Sequence, residues 1–161
     1  MARVPVVVKQ LLDLPLERAI GEVAPMPLPE VFAKKGILPA VVAVEDQTGG
    51  WDAVGQTRTV RLSDGGSFHE ELTRYDVPGG FGYRLTGLTG PLKALVDGAE
   101  GDWSFAAAGP DRTEVTWTYT FLPKPGRTLL IKAVLVPLWR GYAAQNLRNV
   151  ADYTGPSTRS R

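Results

Sequence analysis

The stretch Ser67–Asp76 holds two adjacent carboxylates, Glu70 and Glu71, together with Arg74 and the chain's only histidine, His69. Paired carboxylates can run acid–base chemistry on a glycosidic bond, but only when both face the same substrate. The stretch is bounded by Asp64-Gly-Gly and Pro78-Gly-Gly and reads as a strand, in which neighbouring side chains point to opposite faces. One glutamate therefore faces inward alone. Which of the two does so stays open at this point, although Glu70 shares the parity of Phe68, Leu72 and Arg74. A buried carboxylate requires a cation, and Arg58, Arg74 and Arg84 are the candidates. His69 has the parity of Glu71 and no serine–histidine–acid context, which places it on the outer face. The groups left to move a proton or anchor a ligand are Glu70, Arg74, Arg84 and Tyr119.

Other chemistries lack their residues. The chain has no cysteine, which excludes disulfides, thiolate nucleophiles and cysteine-based metal sites. A single imidazole supplies no cluster for a transition metal, so neither metal nor cofactor is expected. Gly79-Gly-Phe-Gly82 is glycine-rich, yet it follows Pro78 and opens a strand. A dinucleotide loop would need a helix N-terminus there for its phosphates.

The elements that position these residues follow from periodicity. In Thr113–Leu122, Val115, Trp117, Tyr119 and Phe121 alternate with Glu114, Thr116, Thr118 and Thr120, giving a strand with one apolar, mostly aromatic face and one polar, threonine-rich face. The following run to Tyr153 places Ile131, Leu135, Leu138, Trp139, Tyr142, Leu147 and Val150 on one side of a helix. A helix over Thr128–Tyr153 spans about 40 Å, the width of a compact domain of this length. Pro137 stands inside it and either is tolerated on its outer side or bends the helix. Upstream, Arg3–Leu12 reads as a strand. Pro15–Val23 reads as a short helix with Asp13 as N-cap, and Pro29–Lys35 as a second, closed by Gly36. Pro39–Glu45, Thr57–Ser63, Phe81–Gly87 and Asp102–Ala108 complete the strands, and residues 88–101 form a long connection. The order is β-αα-ββββββ-α: an α+β domain with an antiparallel sheet.

Composition bounds the rest. The 161 residues suit one domain over 1–155, with 156–161 read as a flexible tail. A net charge of +1 gives no basic face for nucleic acid. No apolar run reaches the roughly 20 residues of a membrane span, and no signal segment opens the chain, so a cytoplasmic location without stable membrane insertion is expected. A homodimer is compatible with these features.

Strand parity gathers Phe68, Leu72, Tyr83, Leu85, Trp103, Phe105, Trp117, Tyr119 and Phe121 towards one side of the sheet. Leu135, Leu138, Trp139 and Tyr142 of the helix oppose them. From the residues alone, a plain core and an apolar pocket with a few polar anchors both remain open. The connection 88–101 is longer than a hairpin needs and carries Leu92, Leu95 and Val96. It reads either as a lid over such a pocket or as a fixed turn packed on the sheet.

The element order, with Gly55-Gln-Thr-Arg58, Tyr75-Asp-Val-Pro78, Phe81-Gly-Tyr83, Asp102-Trp-Ser-Phe105 and Thr113-Glu-Val-Thr-Trp-Thr-Tyr119, resembles the START-related (SRPBCC) superfamily. Polyketide cyclase/dehydrase-like proteins and the birch-pollen-allergen class belong to it. The resemblance covers roughly Arg3–Tyr153 and implies a helix-grip fold: a curved antiparallel sheet of six to seven strands wrapped around the C-terminal helix. It also implies a cavity between them that holds apolar small molecules. None of the matching residues is a catalytic signature. The function expected first is binding or transport of a lipid, polyketide or aromatic metabolite. The alternatives are an aromatase/cyclase-type enzyme using the same cavity, and a protein-interaction module without a working pocket.

Overall fold

The computed structural model describes residues 2–155; the tail expected over 156–161 lies outside the described residues. Seven strands form one antiparallel sheet: β1 (Val4–Leu12), β2 (Val41–Glu45), β3 (Thr57–Leu62), β4 (Ser67–Asp76), β5 (Gly80–Thr86), β6 (Val96–Ala107) and β7 (Thr113–Pro123). Their spatial order is β1-β7-β6-β5-β4-β3-β2. Two short helices, α1 (Leu16–Val23) and α2 (Leu28–Val31), follow β1. A helical segment closes the chain, running from α3 (Thr128–Leu130) through a π-helical turn (Ile131–Leu135) into α4 (Val136–Thr154). This is the helix-grip architecture. None of the described helices is long and apolar enough to cross a membrane.

Strand β7 is the clearest case of sequence dictating local structure. Its burial alternates residue by residue, with Val115, Trp117, Tyr119 and Phe121 buried and Thr116, Thr118 and Thr120 on the half-covered outer face. The strand pairs along its length with both β1 and β6. Pro5 lies on β1, an edge strand, where a missing N–H need not interrupt a ladder.

Four local expectations are corrected. Strand β6 begins at Val96, so the connection is confined to residues 87–95, with a 3₁₀ turn over Pro91–Ala94. Val96 is a fully buried strand residue paired with Pro123, and no part of a lid. The second helix stops after Val31, because α4 captures the chain that would have continued it. Asn146 Oδ1 accepts from Ala33 N at 2.8 Å, Asn146 Nδ2 donates to Ala33 O, and Asn149 Nδ2 donates to Val31 O. Asp13 caps no helix: α1 starts after Pro15, and the Asp13 carboxylate accepts from Arg112 Nε at 3.1 Å. Finally, Leu138 is 38% exposed instead of facing the sheet. The π-helical turn closes wider loops than an α-helix, so the apolar stripe before it does not continue in α-helical phase after it. That turn ends two residues before Pro137, whose ring would otherwise press on the carbonyl four residues back.

Candidate functional site

The inner face of the sheet is built in rows that run across the strands. One row joins Arg58, Glu70, Leu85, Ala99 and Phe121; the next joins Leu72, Tyr83, Gly101 and Tyr119; a third joins Phe81, Trp103 and Trp117. The central strand β6 contributes only Ala99 and Gly101 to the first two rows. Flanking large side chains therefore lean over a floor with little side chain of its own. A Cβ on Gly101 would lie 2.2–2.5 Å from the Tyr83 ring and hydroxyl, so the phenol rests directly on the backbone of β6.

Between this floor and the C-terminal helix lies a cavity of about 230 Å³. For scale, an apolar cavity of about 150 Å³ admits benzene. Phe68, Tyr83, Trp103, Trp117, Tyr119 and Phe121 reach it from the sheet, and Leu135, Trp139 and Tyr142 from the helix. Leu92 and Leu95 reach it from the β5–β6 connection. The rings pack against one another: Tyr119 lies 4.2 Å from Trp139 between centroids, and Trp103 stacks on Trp117 at 4.8 Å.

Several residues grouped with these by parity do not line the cavity. Leu72, Leu85 and Phe105 face inward but are consumed by the packed core, with Phe105 against Phe81 at 6.2 Å. Leu138 is turned outward and Val96 is locked in β6. Sequence reasoning also passed over Phe32, which lines the cavity and meets Trp117 edge-on at 5.7 Å. Its position depends on the Asn146 clamp, a contact 113 residues away in sequence, and no local signal announces it.

The polar groups divide sharply. Glu70, not Glu71, faces the cavity, and its Oε1 accepts from Arg58 Nε at 2.7 Å, both side chains being about 6% exposed. The Arg58 guanidinium stacks 3.9 Å above the ring of Trp51, which is itself fully buried. Arg74 does not join them. A bulge between Leu72 and Arg74 reverses the strand's parity and turns Arg74 to the outer face, where it binds Asp102 and Asp76 at 2.8 and 2.9 Å. Arg84 is exposed on that same side, and His69 pairs with Thr59 Oγ1 at 3.0 Å away from the cavity. Among the described residues no cluster suited to a metal ion occurs.

Three phenols complete the site. Tyr142 donates to Pro39 O at 2.8 Å, tying the helix to the chain before β2. The Tyr83 oxygen accepts from Trp117 Nε1 at 3.2 Å and, at a longer 3.4 Å, from Trp103 Nε1. Tyr119 has no hydrogen-bond partner among the described residues. Burial pushes the pKa of Tyr83 well up, the Glu70 charge adds to this, and the two indole bonds oppose it. Burial raises Tyr119 too, reinforced by Tyr83, Glu70 and Tyr142, and burial alone raises Tyr142. All three are therefore neutral donors at physiological pH.

Several solved structures share this arrangement of elements. The Zhui aromatase/cyclase from a Streptomyces species superposes with a TM-score of 0.74 at 14% identity, over 99% of this chain and 97% of that one. A Thermus thermophilus protein gives 0.71 at 15%, over 94% and 97%. Norcoclaurine synthase from Thalictrum flavum, in complex with dopamine and hydroxybenzaldehyde, gives 0.65 at 13%, over 94% and 86%. At such identities the likeness concerns the fold. A comparison with curated protein sequences finds no match. The family model described as polyketide cyclase/dehydrase and lipid transport matches residues 32–155, most of the chain. With a helix-grip fold around an aromatic cavity and that match over β2 to α4, the chain belongs to the polyketide cyclase/dehydrase and lipid-transport family of the START-related (SRPBCC) superfamily.

Proposed function

We propose that the protein binds an apolar, ring-bearing small molecule in the cavity between sheet and helix. The observation that carries this reading is the cavity itself: about 230 Å³, walled by aromatic and aliphatic side chains, with a paired Arg58–Glu70 and three phenols among its few polar features. Ligand sites in general have this apolar lining with a few placed polar groups. A space half as large again as one that takes benzene suits two fused rings or a short branched chain. Leu92 and Leu95 sit at its edge on a short connection, so a ligand would enter past them. An interaction module without a pocket has no use for such a space.

A second reading, a cyclase-type catalyst, draws on one specific observation: the Glu70 carboxylate and three neutral phenols share the cavity. Related folds are used by the Streptomyces aromatase/cyclase and by norcoclaurine synthase. Against it, the Glu70 carboxylate is already committed to an ion pair with Arg58 at 2.7 Å. Binding is therefore the primary reading. Organic extraction of the purified protein, followed by mass spectrometry of the extract, tests it. The expected result is a co-purifying apolar compound, or, once the protein is stripped, uptake of naphthalene read by quenching of tryptophan emission. The absence of both co-purification and uptake would refute it.

A further inference from the structure

We propose that the cavity selects an uncharged, two-ring compound carrying a carbonyl group, whose oxygen accepts the hydroxyl proton of Tyr83. This rests on the cavity being a ligand site, as proposed above, and it names the chemistry that the site reads.

The argument begins with how firmly Tyr83 is held. The residue is 7% exposed, and its ring lies on Gly101, where no side chain can intrude. A phenol oxygen accepts through its lone pairs and donates one proton. Here the accepting directions are occupied by the indole N–H groups of Trp117 and Trp103. The proton therefore points away from both indoles, and it meets no acceptor among the described residues. A donor buried to this degree and left unpaired costs stability unless something else accepts from it. The cavity lies beside it, and a ligand acceptor arriving there would complete the set.

The charge balance then decides which acceptor fits. Arg58 is the only cation lining the cavity among the described residues, and Glu70 already binds it at 2.7 Å. An anionic ligand would leave water, find no unpaired counter-charge and share a small space with the Glu70 carboxylate, an arrangement that burial penalises heavily. A pure hydrocarbon fits the walls but leaves the Tyr83 proton unmet. A ketone or aldehyde oxygen accepts without carrying charge, and this distinguishes it from both. The raised pKa of Tyr83 keeps its proton in place throughout the physiological range.

The test compares three probes of similar size by calorimetric titration at neutral pH: tetralin, α-tetralone and naphthoate. One good hydrogen bond in a dry site corresponds to about tenfold in affinity. The stripped native protein is expected to bind α-tetralone about tenfold more tightly than tetralin, and naphthoate more weakly than either. In Tyr83→Phe the ketone preference is expected to shrink to about the level of experimental scatter, while tetralin still binds. Because that variant orphans two indole N–H groups and can lose stability, the carbonyl stretch of bound α-tetralone in the native protein provides a second readout. It is expected to shift to lower frequency than in a hydrocarbon solvent. Equal affinity for tetralin and α-tetralone, an unshifted carbonyl stretch, or a preference that survives intact in folded Tyr83→Phe would overturn the inference while leaving the cavity reading standing. Failure of all three probes to bind would remove both.

Discussion

Arg58 and Glu70 face each other across strands β3 and β4 and form an ion pair that is about 94% withdrawn from solvent, in the lining of a largely apolar cavity. Two charges in such a place do not persist for their net contribution to stability, since taking both out of water offsets most of their attraction. Their effect lies in what happens when one is lost. Glu70→Gln leaves the guanidinium buried without its counter-charge and is expected to destabilise the fold by about 3–5 kcal/mol. The paired replacement Arg58→Met with Glu70→Leu is expected to be near neutral. Urea unfolding of the native protein and these two variants measures this. A Glu70→Gln protein within about 1 kcal/mol of native would show that the pair is better solvated than its burial implies.

Gly101 makes room for Tyr83, and the consequence is measurable by a mutant cycle. Gly101→Ala puts a Cβ within 2.5 Å of the phenol, so the ring must move and its indole bonds break. Overpacking of this kind is expected to cost about 1–3 kcal/mol. In a Tyr83→Ala background the same substitution should cost almost nothing, since the clash is gone. A full penalty in that background would place the strain in the backbone of β6 and not under Tyr83.

The β5–β6 connection is short, yet Leu92 and Leu95 reach from it to the cavity wall. As a non-strand part of the cavity lining, residues 88–95 are expected to gain amide protection when α-tetralone or naphthalene is bound, while β7 stays unchanged. Hydrogen exchange with and without the probe measures this. Protection equal to that of β7 before any ligand is added, and unchanged after, would make the connection a fixed turn.

Alkaline pH provides a different view of the phenols. The folded-state pKa values of Tyr83, Tyr119 and Tyr142 are raised above the ordinary value of 10.0. Their contribution to stability is fully present below the unfolded value and is lost as pH climbs above it, because the unfolded chain ionises first. Stability should therefore be flat with respect to these residues through neutral pH and fall above about pH 10. Phenolate absorbance should then rise together with loss of ellipticity. Ionisation of all five tyrosines while the fold remains intact would contradict the burial of these three.

These residues also mark how far the sequence can be read. The period-two alternation of β7 is strong because both of its neighbours are strands and its inner face is closed by the helix, so Trp117 and Tyr119 are placed from pattern alone. Arg74 shows where pattern stops. Its parity matches Glu70, but one extra residue in the ladder at Thr73 sends it to the opposite face. The first half of β6 is invisible for a related reason: Val96-Asp-Gly-Ala-Glu-Gly101 has the composition of a loop and becomes a strand because β7 pairs with it from Val96 and β5 joins on the other side from Ala99. The same small residues open the cavity floor. The end of α2 is set by Asn146 and Asn149, on a helix more than a hundred residues later, and so lies beyond any local reading.

The central claim, that an apolar ring compound occupies the space between Tyr83, Tyr119 and Trp139, is tested most directly by crystallography with a brominated naphthalene. Anomalous scattering locates the bromine without reference to the rest of the electron density. The account predicts one dominant peak inside the cavity, within van der Waals contact of Tyr119 and Trp139, and its loss when Leu135→Trp fills the space from the helix side. Bromine found only on the outer surface, with the cavity left as it is, would contradict the account.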